Sequence, residues 1–124
     1  VISTSYDKIG DNKVLRDDIL SLRNAINNMQ VVYDKTLTTT PYTALDSDYL
    51  ILADATAASI TINLPTAIGR KGKIFQVKKV NANANTVTID AFGSQTIDGA
   101  LTQVISTSYA SISIYSDNAN WWII

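Results

Sequence analysis

The chain contains no cysteine, no histidine and, although its acids number 11, no glutamate. Disulfides, thiolate nucleophiles and the usual zinc ligands are therefore excluded, and so is the ordinary neutral-pH general base. No nucleophile elbow and no Gly-rich phosphate loop is present. The net charge is −1, so no global field draws the chain to nucleic acid or to an acidic membrane. No apolar run approaches the roughly eighteen residues of a membrane span, and the opening VISTSY is too short and too hydroxyl-rich for a secretory signal. These absences lead to the expectation of a non-enzymatic protein without cofactor or metal. It should neither bind nucleic acid nor insert into a membrane.

What is present is enough apolar content, 46% of 124 residues, to build the core of one domain with an appendage. The appendage is read from residues 11–33. Leu15, Ile19, Leu22, Ile26, Met29 and Tyr33 recur at alternating steps of four and three, the period of a heptad seam. With Ile19 and Ile26 at a, Leu15, Leu22 and Met29 fall at d. Asp11 and Asp18 then stand at g, and Arg16 and Arg23 at e. In a parallel assembly Asp11 faces Arg16 of a neighbour and Asp18 faces Arg23, pairs of opposite sign. The spacing predicts a coiled-coil helix over 11–33, preceded by an extended segment over 1–10. Ile at a with Leu at d ordinarily favours two strands. Leu20, Ala25 and Val32 add apolar surface outside the seam.

Residues 34–41, DKTLTTTP, combine consecutive threonines with a proline and predict a linker. From residue 42 onward helical spacing gives way to short β-type runs: 42–45, 49–53, 59–64, 73–80, 86–91, 101–106, 109–116 and 121–124. Ile60, Ile62 and Leu64 alternate with Ser59, Thr61 and Asn63, so that strand has one buried face. Pro65, Gly69, Gly72, the run 81–85 (NANAN), Gly93, Asp98-Gly99 and residues 117–120 punctuate the runs with turn chemistry. Residues 81–85 read as a polar hairpin loop. The expected fold class is mainly β, an antiparallel sandwich of jelly-roll-like type over 42–124 following the coiled-coil helix.

Several of these runs carry a resemblance. Residues 48–57 (DYLILADATA), 60–65 (ITINLP), 72–75 (GKIF), 77–79 (VKK), 84–89 (ANTVTI), 95–100 (QTIDGA), and Ser116-Asp117 with Asn120-Trp121 resemble, in that order, a β module of tailed-bacteriophage fibre proteins. The resemblance covers about two-thirds of the chain. It implies a β domain of head fibres, tail fibres or receptor-binding tips, usually homotrimeric and without catalytic residues. From it follows the expectation of a virion surface appendage: a trimeric fibre or spike segment whose β head attaches to a host surface. Its partners would be its own copies, other capsid or tail proteins, and host cell-surface glycan. One alternative is a capsid- or tail-bound decoration anchored by the helix. Another is a carbohydrate-binding module of a larger enzyme.

Two groups are candidates for surface binding. Arg70, Lys71, Lys73, Lys78 and Lys79 fall within ten residues and form either a patch for anionic polymers or a solvated turn followed by an edge strand whose lysines discourage aggregation. Trp121 and Trp122 are adjacent, so in a strand they point to opposite faces. One belongs to a core or subunit interface, and the other is either a second interface residue or a platform for a sugar ring. Asp46-Ser47-Asp48 does not continue as a calcium loop, because Leu50 and Ile51 occupy the places of an oxygen donor and a glycine. Asp90 and Asp98 read as turn residues rather than a catalytic pair.

Overall fold

The computed structural model describes residues 13–28 and 34–124, and the side chains of residues 26–28 lie outside that description. The expected extended segment 1–10, Asp11, Met29, Tyr33 and the side chain of Ile26 therefore fall outside the described residues. The chain divides into two compact units, a helical one and a β unit of residues 33–124.

Helix α1 spans Lys13–Asn28 and contains neither glycine nor proline. Its solvent face carries an i,i+4 pair, Lys13 Nζ to Asp17 at 3.0 Å, worth only about 0.3–0.5 kcal/mol because both groups are exposed. The apolar seam is also open. Leu15, Ile19 and Leu22 are 52%, 49% and 62% exposed.

The β unit holds nine strands among the described residues: β1 (Asp34–Leu37), β2 (Tyr42–Thr43), β3 (Leu50–Ala53), β4 (Ile60–Asn63), β5 (Ile74–Lys79), β6 (Val87–Asp90), β7 (Thr102–Ile105), β8 (Ser111–Ser116) and β9 (Trp121–Ile123). Each of the expected runs contains a strand. The extra one, β1, corrects the linker expected over 34–41, since Asp34–Leu37 pairs in register with Leu50–Ala53. Threonine-rich extended backbone suits a linker and a strand equally, and the free edge of β3 decides for the strand.

The strands form two mixed sheets, ordered β9-β8-β5-β3-β1 and β2-β4-β6-β7. From β1 to β6 the chain alternates between them. Asp34, Leu50 and Gln76 align along one sheet, with β1, β3 and β5 parallel. Tyr42, Ile62 and Ile89 align along the other, with β2, β4 and β6 parallel. Only at the end does the direction reverse, where β7 pairs antiparallel with β6, β8 with β5, and β9 with β8. The expectation of a purely antiparallel sandwich is thus corrected. Alternation along a strand reports which face is buried, and that is the same whichever way the neighbour runs.

Parallel neighbours normally need a long crossover. Here the strand in the opposite sheet serves as the crossover, so β1–β2, β3–β4 and β5–β6 are successive turns of one winding. The inward faces of both sheets meet in a single apolar cluster, a sandwich-like arrangement. Ile51, Phe75, Val77, Ile114 and Trp121 come from one sheet and Ile60, Ile62, Val87, Ile89 and Ile105 from the other.

Side chains tie the turns of this winding together at its corners. The NANAN run joins β5 to β6 across the two sheets, which corrects its reading as a hairpin loop. Asn81 Oδ1 accepts from Ala55 N at 3.0 Å, while Asn83 Nδ2 donates to Thr56 O and Asn85 Nδ2 to Ala55 O, both at 2.8 Å. Thr40, whose peptide to Pro41 is cis, accepts from Thr61 N at 2.9 Å, and Ser59 Oγ accepts from Thr86 N at 3.0 Å. Replacing the buried Asn81 with leucine strands the Ala55 amide. The unfolding free energy in urea is expected to fall by about 1–3 kcal/mol, against less than about 0.5 kcal/mol for Thr88→Ala on the outer face.

Candidate binding surface

The basic cluster is distributed by strand parity. Phe75, Val77 and Lys79 share the inward face of β5, and Lys78 points outward. β5 is the central strand of its sheet, so the edge-strand account of these lysines is corrected as well. Lys79 is fully buried, and its Nζ donates to Asn81 O at 3.1 Å and Asn83 O at 2.9 Å. It closes the NANAN corner from inside and is not available at the surface. The Lys78 ammonium donates to the carbonyl of Tyr109.

Arg70 and Lys73 sit on the return from β4 to β5 and bind the preceding return, from β2 to β3. Arg70 Nε meets Asp46 Oδ1 at 2.7 Å, and its Nη1 donates to Thr66 O at 3.0 Å. The guanidinium lowers the Asp46 pKa from the ordinary carboxylate value. Lys73 Nζ donates to Asp46 O at 2.7 Å and Asp48 O at 2.6 Å and lies 4.6 Å from the centre of the Phe75 ring. Burial lowers its pKa, which the nearby acids partly offset. Asp48 is itself held as an acceptor for the Tyr42 hydroxyl and Leu45 N. Of the five cations only Lys71 is exposed and without a hydrogen bond or ion pair among the described residues. The structure therefore does not assemble them into one free patch.

The tryptophans separate as strand geometry requires. Trp121 is fully buried, its ring 5.6 Å from that of Phe75 and tilted by 46°. Trp122 is 45% exposed on the opposite face. Its indole Nε1 donates to Asp117 Oδ2 at 2.7 Å. The other oxygen of Asp117 accepts from Ala119 N at 2.8 Å and Asn120 N at 2.7 Å, an Asx-type turn. These bonds, the Asn120 amide first and then the indole, lower the Asp117 pKa. Across the ladder from Trp122 stands Tyr115, and across from Tyr115 stands Ile74.

Asp117 and Tyr115 were not anticipated as parts of this surface. The turn at 117–120 was visible, but the reach from its carboxylate to the indole follows only from the strand register. Asp98 occupies a two-residue turn with Gly99, both at positive φ, between Ile97 and Ala100, and its carboxylate accepts from Ile123 N at 2.9 Å. Asp90 lies within β6 opposite Thr102, which corrects its reading as a turn residue. Among the described residues no group of three or more His, Cys, Asp or Glu is placed to hold a metal, and no helix is long and apolar enough to cross a membrane.

No protein-family model matches the chain, and no curated protein matches it.

A depressed folded-state pKa at Asp117 means that its contribution to stability is complete above the unfolded-state value, near 3.9. It is lost as pH falls through the folded value. Acid titration of tryptophan fluorescence should show a transition below the usual aspartate range, carried by Trp122. The transition should vanish in Asp117→Ala and in Trp122→Phe while the buried Trp121 signal persists.

Proposed function

We propose that the chain is a non-enzymatic segment of a bacteriophage fibre or spike in which three parallel copies join through the helix and display β heads for attachment to a host surface. The observation that carries this reading is the open seam of α1. Leu15, Ile19 and Leu22 lie about half or more in solvent, and Asp18 and Arg23 flank them at positions that pair with opposite sign between parallel copies. A helix of 16 residues is marginal by itself in water and draws its stability from burying such a face. Order and spacing of the β runs, which resemble phage fibre modules, supply the biological setting and the preference for three copies. On this reading the partners are the chain's own copies, the particle it belongs to, and the surface it meets. Three equivalent heads would multiply weak contacts by avidity.

A second reading is favoured by one further observation. Val14 and Leu20 lie outside the seam yet are 62% and 52% exposed, more apolar surface than the a and d positions need. The helices would then dock together into a socket on capsid or tail, making the chain a decoration with its β head outward.

Light scattering on the full chain should give about three times the monomer mass of 13.5 kDa, retained on dilution. A stable monomer would remove the fibre reading and leave the carbohydrate-binding module. Ile19→Asp combined with Ile26→Asp should dissociate the assembly, and unchanged mass would assign association to the β heads. Capture on purified virion proteins rather than on host cell walls would favour the socket.

A further inference from the structure

The outer face of the five-stranded sheet combines a fixed aromatic with unengaged polar side chains. The Trp122 ring is exposed, yet it is held through Nε1–H to Asp117. That turn is braced on two sides. Asn118 Oδ1 accepts from Gly69 N at 2.7 Å, and Asn120 Oδ1 accepts from Thr96 N at 3.0 Å. With its one donor already engaged, the indole offers a partner its π face. Tyr115 and Ile74 extend that row on the same face of the sheet.

The next row along the strands holds a polar pair between Ile124 on one side and Leu50 on the other. Ser113 stands opposite Gln76, and neither side chain has a hydrogen-bond partner among the described residues. Rows on one face of a strand are roughly 6.5–7 Å apart, a separation that a single sugar ring and its substituents can bridge. The charges nearby are carboxylates at Asp117 and at Asp98, which holds the amide of Ile123, and an ammonium at Lys78 that is already donating to Tyr109 O. A carboxylate beside the ring disfavours an acidic sugar there, and the free cation Lys71 lies outside these rows, on the loop whose Gly69 and Gly72 bond Asn118 and Ser116.

We propose that Trp122, with Tyr115 beside it, is a stacking platform for an uncharged pyranose of a surface glycan. Ser113 and Gln76 meet the sugar hydroxyls, and Asp117 is the positioning residue that fixes the indole. An aromatic ring with an apolar face and an adjacent polar pair matches a pyranose, whose own ring has an apolar face and a hydroxyl rim. Pre-fixing the ring lowers the ordering cost of a weak contact. The proposal rests on the reading of the β unit as an attachment head, although stacking itself requires neither three copies nor a particle.

The test uses the full chain with neutral oligomers of glucose, galactose and N-acetylglucosamine, and with polygalacturonate as the acidic arm. Binding is followed by saturation-transfer NMR and the indole N–H resonances. At least one neutral oligomer should bind and shift the Trp122 resonance, and Trp122→Ala should weaken it about tenfold or more. Asp117→Ala should weaken binding, and so should Asp117→Asn, whose single amide oxygen can keep the turn amides of Ala119 and Asn120 but then turns its NH2 toward the indole N–H, releasing the ring and shifting its N–H resonance while the turn stays formed. No neutral binding, binding of the acidic polymer alone, or binding that survives Trp122→Ala would overturn the proposal. Light scattering on the same samples separates the two readings. An intact trimer without sugar contact sinks the platform alone, whereas a monomer that binds sugar through Trp122 sinks the fibre reading alone. Dissociation by Trp122→Ala without sugar binding would make the ring an interface residue and also overturn the platform.

Discussion

Parallel pairing between successive turns of a two-sheet winding is the constraint on which the β unit depends. In a hairpin protein each strand finds its partner a few residues away, and the turn itself satisfies the intervening backbone. Here β3 must wait for β5, which arrives only after a strand in the other sheet. The corners between sheets have no partner strand, yet some of their amides are buried and still require acceptors. The next turn supplies one of them, as when Asn81 takes the buried amide of Ala55, and in the other direction Thr40 of the preceding turn takes the amide of Thr61 at the start of β4. The asparagine run is thus a structural consequence of the winding, because its short amides both donate and accept at a corner too tight for regular pairing.

That constraint also governs where the charge goes. Arg70 and Lys73 tie one return loop to the one before it, and Lys79 closes a corner from within the core. A buried ammonium is costly unless its donors are satisfied, and two carbonyls of the corner satisfy this one. The cations that stand together in sequence serve different joints in space. The outer face of the five-stranded sheet mixes Leu50, Leu52 and Ile74 with Gln76, Ser113, Tyr115 and Trp122.

Sequence made some of this legible and left the rest hidden for definite reasons. The buried rows Ile60-Ile62 and Phe75-Val77 follow from alternation, and the same parity places Lys79 inward against the usual preference of lysine for the surface. Opposite faces for Trp121 and Trp122 followed from adjacency alone. The direction of pairing did not, since period-2 patterning is identical in parallel and antiparallel ladders. Strand β1 is not legible locally, because four residues with a single buried side chain, Leu37, carry too little pattern to separate strand from linker. The hold of Asp117 on the indole needed the register of β8 against β9, which no local motif encodes.

The distribution of apolar side chains bears on how the two units divide the work. The buried cluster of the β unit runs from Leu37 to Trp121 among the described residues. That unit therefore has its own source of stability in a core that any single copy can form. The helix has no equivalent, for its apolar seam remains in solvent and its one described surface ion pair contributes little. If copies associate through that seam, α1 gains the burial it lacks alone, and its order then depends on concentration. Under the fibre reading the helix thus becomes the element that senses assembly. On that same reading the β unit would meet its partner already folded, because its core is closed within one copy.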